Sequence, residues 1–110
     1  MQKKLLYLFL YVFAFISPAL AYEKETHEIE IKDHKFYPNV IETTKDKVIK
    51  LRIFNKDKTI EEFESFDLKR EKIVAGNRKI VITVGPLKPG EYIFFGELHP
   101  ETAQGKLIIK

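Results

Sequence analysis

The groups in this 110-residue chain whose type and spacing suggest chemistry are a few histidines and acids. The foremost is His99, in Gly96-Glu97-Leu98-His99-Pro100. It follows the apolar run Tyr92-Ile93-Phe94-Phe95 and lies in a segment that reads as the loop between two buried strands, a common place for ligands in all-β folds. Neutral imidazole is the commonest metal ligand. A loop imidazole can equally hydrogen-bond the backbone, so a second donor decides. Glu61-Glu62-Phe63-Glu64 offers one. If this piece is extended, Phe63 turns inward and Glu61 shares its side, whereas Glu62 and Glu64 face solvent. A carboxylate at a core edge is costly unless paired or metal-bound. The plainer alternative is a solvated acidic cluster with lysine partners. Glu97, two residues before His99, is the third candidate. The expected metal ligands are therefore Glu61 and His99, with Glu97 assisting. His27 and His34 sit among polar residues and read as ordinary surface histidines, His27 being exposed near the start of the mature chain.

Other chemistry is narrowed by what the chain lacks. It has no cysteine, which excludes disulfides, thiolate metal sites and redox thiols. Ser65 is the single serine after Ser17, with no adjacent base in the sequence. No nucleophile elbow, phosphate loop or zinc-protease helix is present. The expectation is a protein that is not an enzyme, with no catalytic residues. No basic face or basic helix stands out, so nucleic acid is not expected as a partner.

The elements that must position these residues begin after an N-terminal signal. Lys3 and Lys4 precede the apolar run Leu5–Ile16, Pro18 breaks it, and Ala19-Leu20-Ala21 forms an A-x-A cleavage site. Residues 1–21 read as a signal peptide, with an uncleaved membrane anchor as the alternative. Residues 22–110 then form one domain, periplasmic or secreted. Loss of Lys3 and Lys4 takes the net charge from +3 to +1, so the basic balance is partly a precursor property.

In that domain, Tyr22–Thr26 is expected to fray. Glu28–Lys32 alternates, with Ile29 and Ile31 facing in. Asp33-His34-Lys35 is a turn, Phe36–Asn39 a bend and Val40–Thr43 a short strand. Val48–Phe54 carries Ile49, Leu51 and Ile53 on one face. Thr59–Glu64 is either one helical turn or extended, and Phe66–Lys69 suggests a further strand. Lys79–Val84 alternates, Tyr92–Phe95 is apolar on both faces and reads as central, and Lys106–Ile109 is last. About seven short strands separated by turn residues indicate an all-β sandwich or barrel.

The sequence as a whole resembles the cupredoxin-like domains. The likeness rests on Phe36-Tyr37-Pro38 before Val40-Ile41, Val48 to Asn55, Glu61-Glu62-Phe63, Lys88-Pro89-Gly90-Glu91-Tyr92 and Gly96-Glu97-Leu98-His99-Pro100. It is nearest to the periplasmic type beside bacterial iron permeases and in iron-uptake lipoproteins. The resemblance implies an all-β Greek-key, cupredoxin-like β-sandwich and, for the family, a copper site of His, Cys, His and usually Met. The first histidine position falls on Glu61, the cysteine on Gly96 and the second histidine on His99. The methionine region reads Thr102-Ala103-Gln104. A blue-copper site requires His₂Cys, so electron transfer by such a site is rejected. What the resemblance implies instead is a copper or iron ion held by oxygen and nitrogen donors, in uptake with a membrane permease or other periplasmic component. The alternative is a metal-free interaction module that kept the fold and lost the site.

Overall fold

The computed structural model describes residues 22–110. The signal peptide, its cleavage after Ala21 and the alternative anchor lie outside the described residues. Nine strands follow in order: β1 (Glu23–Lys32), β2 (Lys35–Tyr37), β3 (Val40–Thr43), β4 (Lys47–Asn55), β5 (Glu61–Ser65), β6 (Arg70–Val74), β7 (Lys79–Val84), β8 (Gly90–Gly96) and β9 (Gln104–Ile109). They form a sandwich of two sheets, one ordered β2-β1-β4-β7 and the other β3-β9-β8-β5-β6. Pairing is parallel for β1 with β4 and for β3 with β9.

Alternation along the strands builds the core. Ile29, Ile31, Ile49, Leu51, Ile53, Ile82 and Val84 are buried from the first sheet. Phe63, Val74, Phe94, Leu107 and Ile109 face them from the second. Phe36, Phe63 and Phe94 meet as an aromatic group with centroids 5.2–6.3 Å apart. Such ring pairs stabilise beyond their buried area. Gly105 leaves room for the Phe94 ring, since a Cβ there would lie 2.4 Å from it. β8 is an interior strand, as its two apolar faces imply.

The strand map differs in places from the sequence reading, with β2 lying where a turn and a bend were expected. β1 starts at Glu23 rather than fraying to Thr26, because Glu23 to Glu28 lie in register beside Lys47 to Arg52. Glu25 anchors this end, accepting from Lys47 Nζ and Thr43 Oγ1 at 2.8 Å each and lying 2.6 Å from His27 Nε2. His27 is half-buried by that contact. Thr59–Glu64 resolves into the extended form from Glu61 onward. Phe66–Lys69 is a turn, with Ser65 Oγ accepting from Leu68 N, and the strand comes later, at β6. β6 escapes the period-two pattern because it is an edge strand burying only Val74. Charge on an edge blocks pairing with other chains.

Candidate metal centre

Glu61 opens β5, and Phe63 of the same strand pairs with Gly96 at the end of β8. That pairing puts Glu61 beside the loop after β8. The loop folds tightly: Gly96 N–H donates to the Ala103 carbonyl at 2.8 Å, and Ala103 N–H donates to the His99 carbonyl at 2.9 Å. His99 thereby turns back over β5. Its Nδ1 lies 2.7 Å from Glu61 Oε2. The other carboxylate oxygen, Oε1, accepts from the backbone N–H of Glu62 at 2.8 Å and of Leu98 at 2.9 Å. Glu61 is 2% exposed. A carboxylate is tolerated there because all its contacts are donors, and bonds to a charged acceptor are the strong kind. If the ring is neutral with its proton on Nδ1, that N–H donates to Oε2, and a cation shared by this nitrogen and Glu61 must displace the proton.

The two expected ligands come together by a different route from the one the family likeness suggests. There, β4 ending at Asn55 and β8 ending at Gly96 would be neighbours in one sheet. They lie in opposite sheets, and it is β5, paired with β8, that carries Glu61 to His99. Asn55 still shapes this end from below. It is fully buried, and its Nδ2 donates to the Thr59 and Val74 carbonyls while its Oδ1 accepts from Asp57 N–H.

Asp57 brings in a residue that sequence reasoning assigned to the surface. Asp33 and His34 form the two-residue β1–β2 turn, both with positive φ, 52° and 58°. Asp and His adopt that region more readily than most residues. Asp57 pins the turn by accepting from Asp33 N–H at 2.8 Å and His34 N–H at 3.0 Å. The His34 ring then lies flat on His99, with centroids 3.5 Å apart and planes 10° from parallel. Burial acts to raise the Asp57 carboxyl, but the backbone N–H groups of His34 and Asp33 outweigh it and hold it below its usual range. The centre therefore holds two imidazoles and two carboxylates. The signal for His34 was its place in a two-residue hairpin turn, but nothing in the sequence says which neighbour that turn meets.

The family resemblance puts the cysteine position at Gly96, and the surroundings of that residue bear on what fits there. A Cβ on Gly96 would lie 2.6 Å from Glu61 Cδ, 2.8 Å from Glu61 Oε2 and 2.7 Å from Ala103 Cβ. The Glu61 carboxylate fills the space a side chain at position 96 would enter. The chain has no cysteine anywhere. A blue-copper set does not fit, whereas a cation taking nitrogen and oxygen donors does.

Glu97 stands apart. Its N–H donates to the Glu62 carbonyl, and its carboxylate groups with those of Glu62, Glu64 and Glu71 on the outer face of the five-stranded sheet. Nor do Glu62 and Glu64 stand clear in solvent: Glu62 is half-buried and Glu64 is 8% exposed. β5 is an interior strand, so its outward carboxylates crowd against those of its neighbours. The hydrogen bond with Glu71, then burial, then the charges of Glu97 and Glu71 push the Glu62 carboxyl up to about 7. Burial, then the charges of Glu71 and Glu97, raise Glu64 as well. Ser65, the one serine after residue 21, donates its hydroxyl to the Ile93 carbonyl at 2.7 Å.

Comparison with known proteins bears on fold and ancestry. The family model described as cupredoxin-like domain matches residues 5–109. An uncharacterized protein of Rickettsia prowazekii (strain Madrid E) is 56% identical over 82 residues, covering 74% of this chain and 66% of that protein. The chain thus spans just under two thirds of the length of that relative. Auracyanin A, a "blue" copper protein from Chloroflexus aurantiacus, superposes with a TM-score of 0.69 at 15% identity, over 80% of this chain and all of that one. The metal-binding domain of the Streptococcus pneumoniae D39 Cu(I)-exporting P-type ATPase, determined with Cu(I), gives 0.69 at 13% identity, over 84% and 91%. Amicyanin from Paracoccus versutus gives 0.62 at 17%, over 88% of each chain. At these identities the structural likeness speaks to the fold alone.

Proposed function

The chain belongs to the cupredoxin-like domain family, and from that premise we propose that it is a metal-binding accessory protein with a non-blue site of nitrogen and oxygen donors. The observation that carries this reading is the 2.7 Å approach of His99 Nδ1 to the buried carboxylate of Glu61. The family resemblance assigns both residues to ligand positions. Glu61 and His99 would hold the ion, and the His34 ring beside His99 is a further nitrogen donor. Imidazole and carboxylate suit Cu(II), iron and zinc, and by the usual affinity order Cu(II) binds most tightly. The copper named for the structural neighbours agrees with that choice of probe. Binding at Nδ1 displaces its proton, so affinity falls as pH falls.

In this reading the protein works outside the cytoplasm, in metal uptake alongside a membrane permease. Support comes from the apolar run and A-x-A site at the N-terminus and from the resemblance to iron-permease-associated domains. A few protein ligands leave open coordination positions, which suits passing an ion on better than storing it.

One observation favours a second reading, a metal-free interaction module. All of Glu61's contacts are satisfied by hydrogen bonds from within the chain. Calorimetric titration with Cu(II) and with iron on wild type, Glu61→Gln and His99→Ala separates the two. Metal binding predicts saturable uptake by wild type and its loss in both variants. No uptake by wild type, or equal uptake by all three, leaves the interaction module.

A further inference from the structure

The outer face of β5 carries an arrangement that the Glu61–His99 centre does not use. Side chains alternate along a strand, so Glu61 points into the sandwich while Glu62 and Glu64 point out on the opposite face. Glu71 of β6 stands directly across from Glu64. Glu97, one residue past β8, closes the group from the other side. One oxygen from each of the four carboxylates lies within 4.8 Å of the others.

Acidic clusters are common on surfaces, but this one has a buried member. Glu64 is 8% exposed, and its Oε2 has no hydrogen-bond partner among the described residues. A buried carboxylate oxygen without a donor is costly. Like charges directly across a pair of strands add to that cost. Among the described residues no lysine, arginine or histidine makes an ion pair with any of the four, although eight other ion pairs form. Elsewhere on the molecule, exposed acids such as Glu30, Glu42 and Glu91 each find a lysine. Glu64, with its unpartnered oxygen, thus belongs to a group of four carboxylates that no cationic side chain of the described residues neutralises.

We propose that Glu62, Glu64, Glu71 and Glu97 form a second metal site, for a hard divalent cation of calcium-to-manganese size. The donor set is all oxygen, which suits calcium and manganese and disfavours Cu(I). The spacing admits an ion of that size. Oxygens on opposite sides of a calcium ion stand about 4.6–5.2 Å apart, twice its usual ligand distance. The four oxygens lie within 4.8 Å of one another. The cation neutralises the like charges that meet across β5 and β6 and gives Glu64 Oε2 its missing partner. This site lies on the opposite face of β5 from Glu61 and does not depend on the Glu61–His99 centre binding metal.

Mn²⁺ titration of the full chain followed by electron paramagnetic resonance tests the site, with Ca²⁺ as competitor and wild type, Glu64→Gln, Glu71→Gln and His99→Ala compared. Wild type and His99→Ala take up one equivalent of Mn²⁺ that Ca²⁺ displaces. Glu64→Gln and Glu71→Gln bind about tenfold more weakly or not at all. Thermal melting gives a readout independent of affinity. Without metal, Glu64→Gln melts higher than wild type, because the unpaired buried charge is gone, and Ca²⁺ raises the wild-type midpoint but not that of the variant. Failure of wild type to bind Mn²⁺, or equal binding by Glu64→Gln and Glu71→Gln, overturns the proposal. So does loss of Mn²⁺ binding in His99→Ala, since the ion would then sit at the other centre.

Discussion

A single added methyl at Gly96 tests whether the Glu61 carboxylate has taken over the cysteine position of the family. In Gly96→Ala the new Cβ would lie 2.6–2.8 Å from Glu61 Cδ, Ala103 Cβ and Glu61 Oε2. None of these yields easily. Ala103 is fully buried, and its Cβ is fixed to the backbone. The carboxylate is held by Glu62 N–H, Leu98 N–H and His99 Nδ1. Overpacking of this kind costs about 1–3 kcal/mol. Pushing the carboxylate off His99 loses a hydrogen bond to a charged group, about 1.5–3 kcal/mol more. The expected total is about 2.5–6 kcal/mol, a large share of the roughly 5–15 kcal/mol that holds a domain folded. For a domain of this size that lowers Tm by on the order of 15–30 °C. Circular dichroism melts of wild type, Gly96→Ala, Glu61→Ala and the double variant read it directly. With the carboxylate gone, only the contact with Ala103 Cβ remains, so Gly96→Ala should cost less in the Glu61→Ala background, a coupling of about 1–3 kcal/mol. A Gly96→Ala protein within about 0.5 kcal/mol of wild type, or the same loss in both backgrounds, refutes the reasoning.

Two further outcomes follow from the same geometry. Glu61→His with Gly96→Cys restores a His₂Cys set around His99, so the double variant with Cu(II) should show an intense visible thiolate-to-copper absorption that wild type lacks; a colourless complex would mean these positions do not converge on one ion. Stability against urea should depend on pH with opposite signs in two windows. Lys47 first, then Thr43, hold Glu25 near 2, so its contribution is present above 4.5 and is lost as pH falls from 4.5 toward 2. Glu62, raised to about 7, favours the folded state fully below 4.5, and that contribution is lost as pH rises from 4.5 through about 7. Glu25→Gln should flatten the acid limb and Glu62→Gln the neutral limb, and unchanged limbs would contradict the assignment.

The sheet faces were legible because alternation is a local signal. Ile29/Ile31, Ile49/Leu51/Ile53 and Tyr92–Phe95 declare which side is buried whatever lies across from them. Phe63 declared Glu61 in the same way, by sharing a face two residues away. Gly96, His99 and the lack of cysteine were enough to rule out a blue-copper set from sequence alone. Pairing partners were not legible, because strand pairing is decided between segments far apart in the chain. Sequence could say that Glu61 points inward, but not that β5 rather than β4 lies beside β8. It could place His34 in a turn, but only the Asp57 carboxylate, 23 residues further on, aims that turn at His99. It read Glu62 and Glu64 as facing solvent and Glu97 as a companion of Glu61 and His99. Their convergence with Glu71 exists only once β6 closes against β5. Local pattern fixed which side chains face the core; the order of strands across two sheets decided which of the remaining side chains meet.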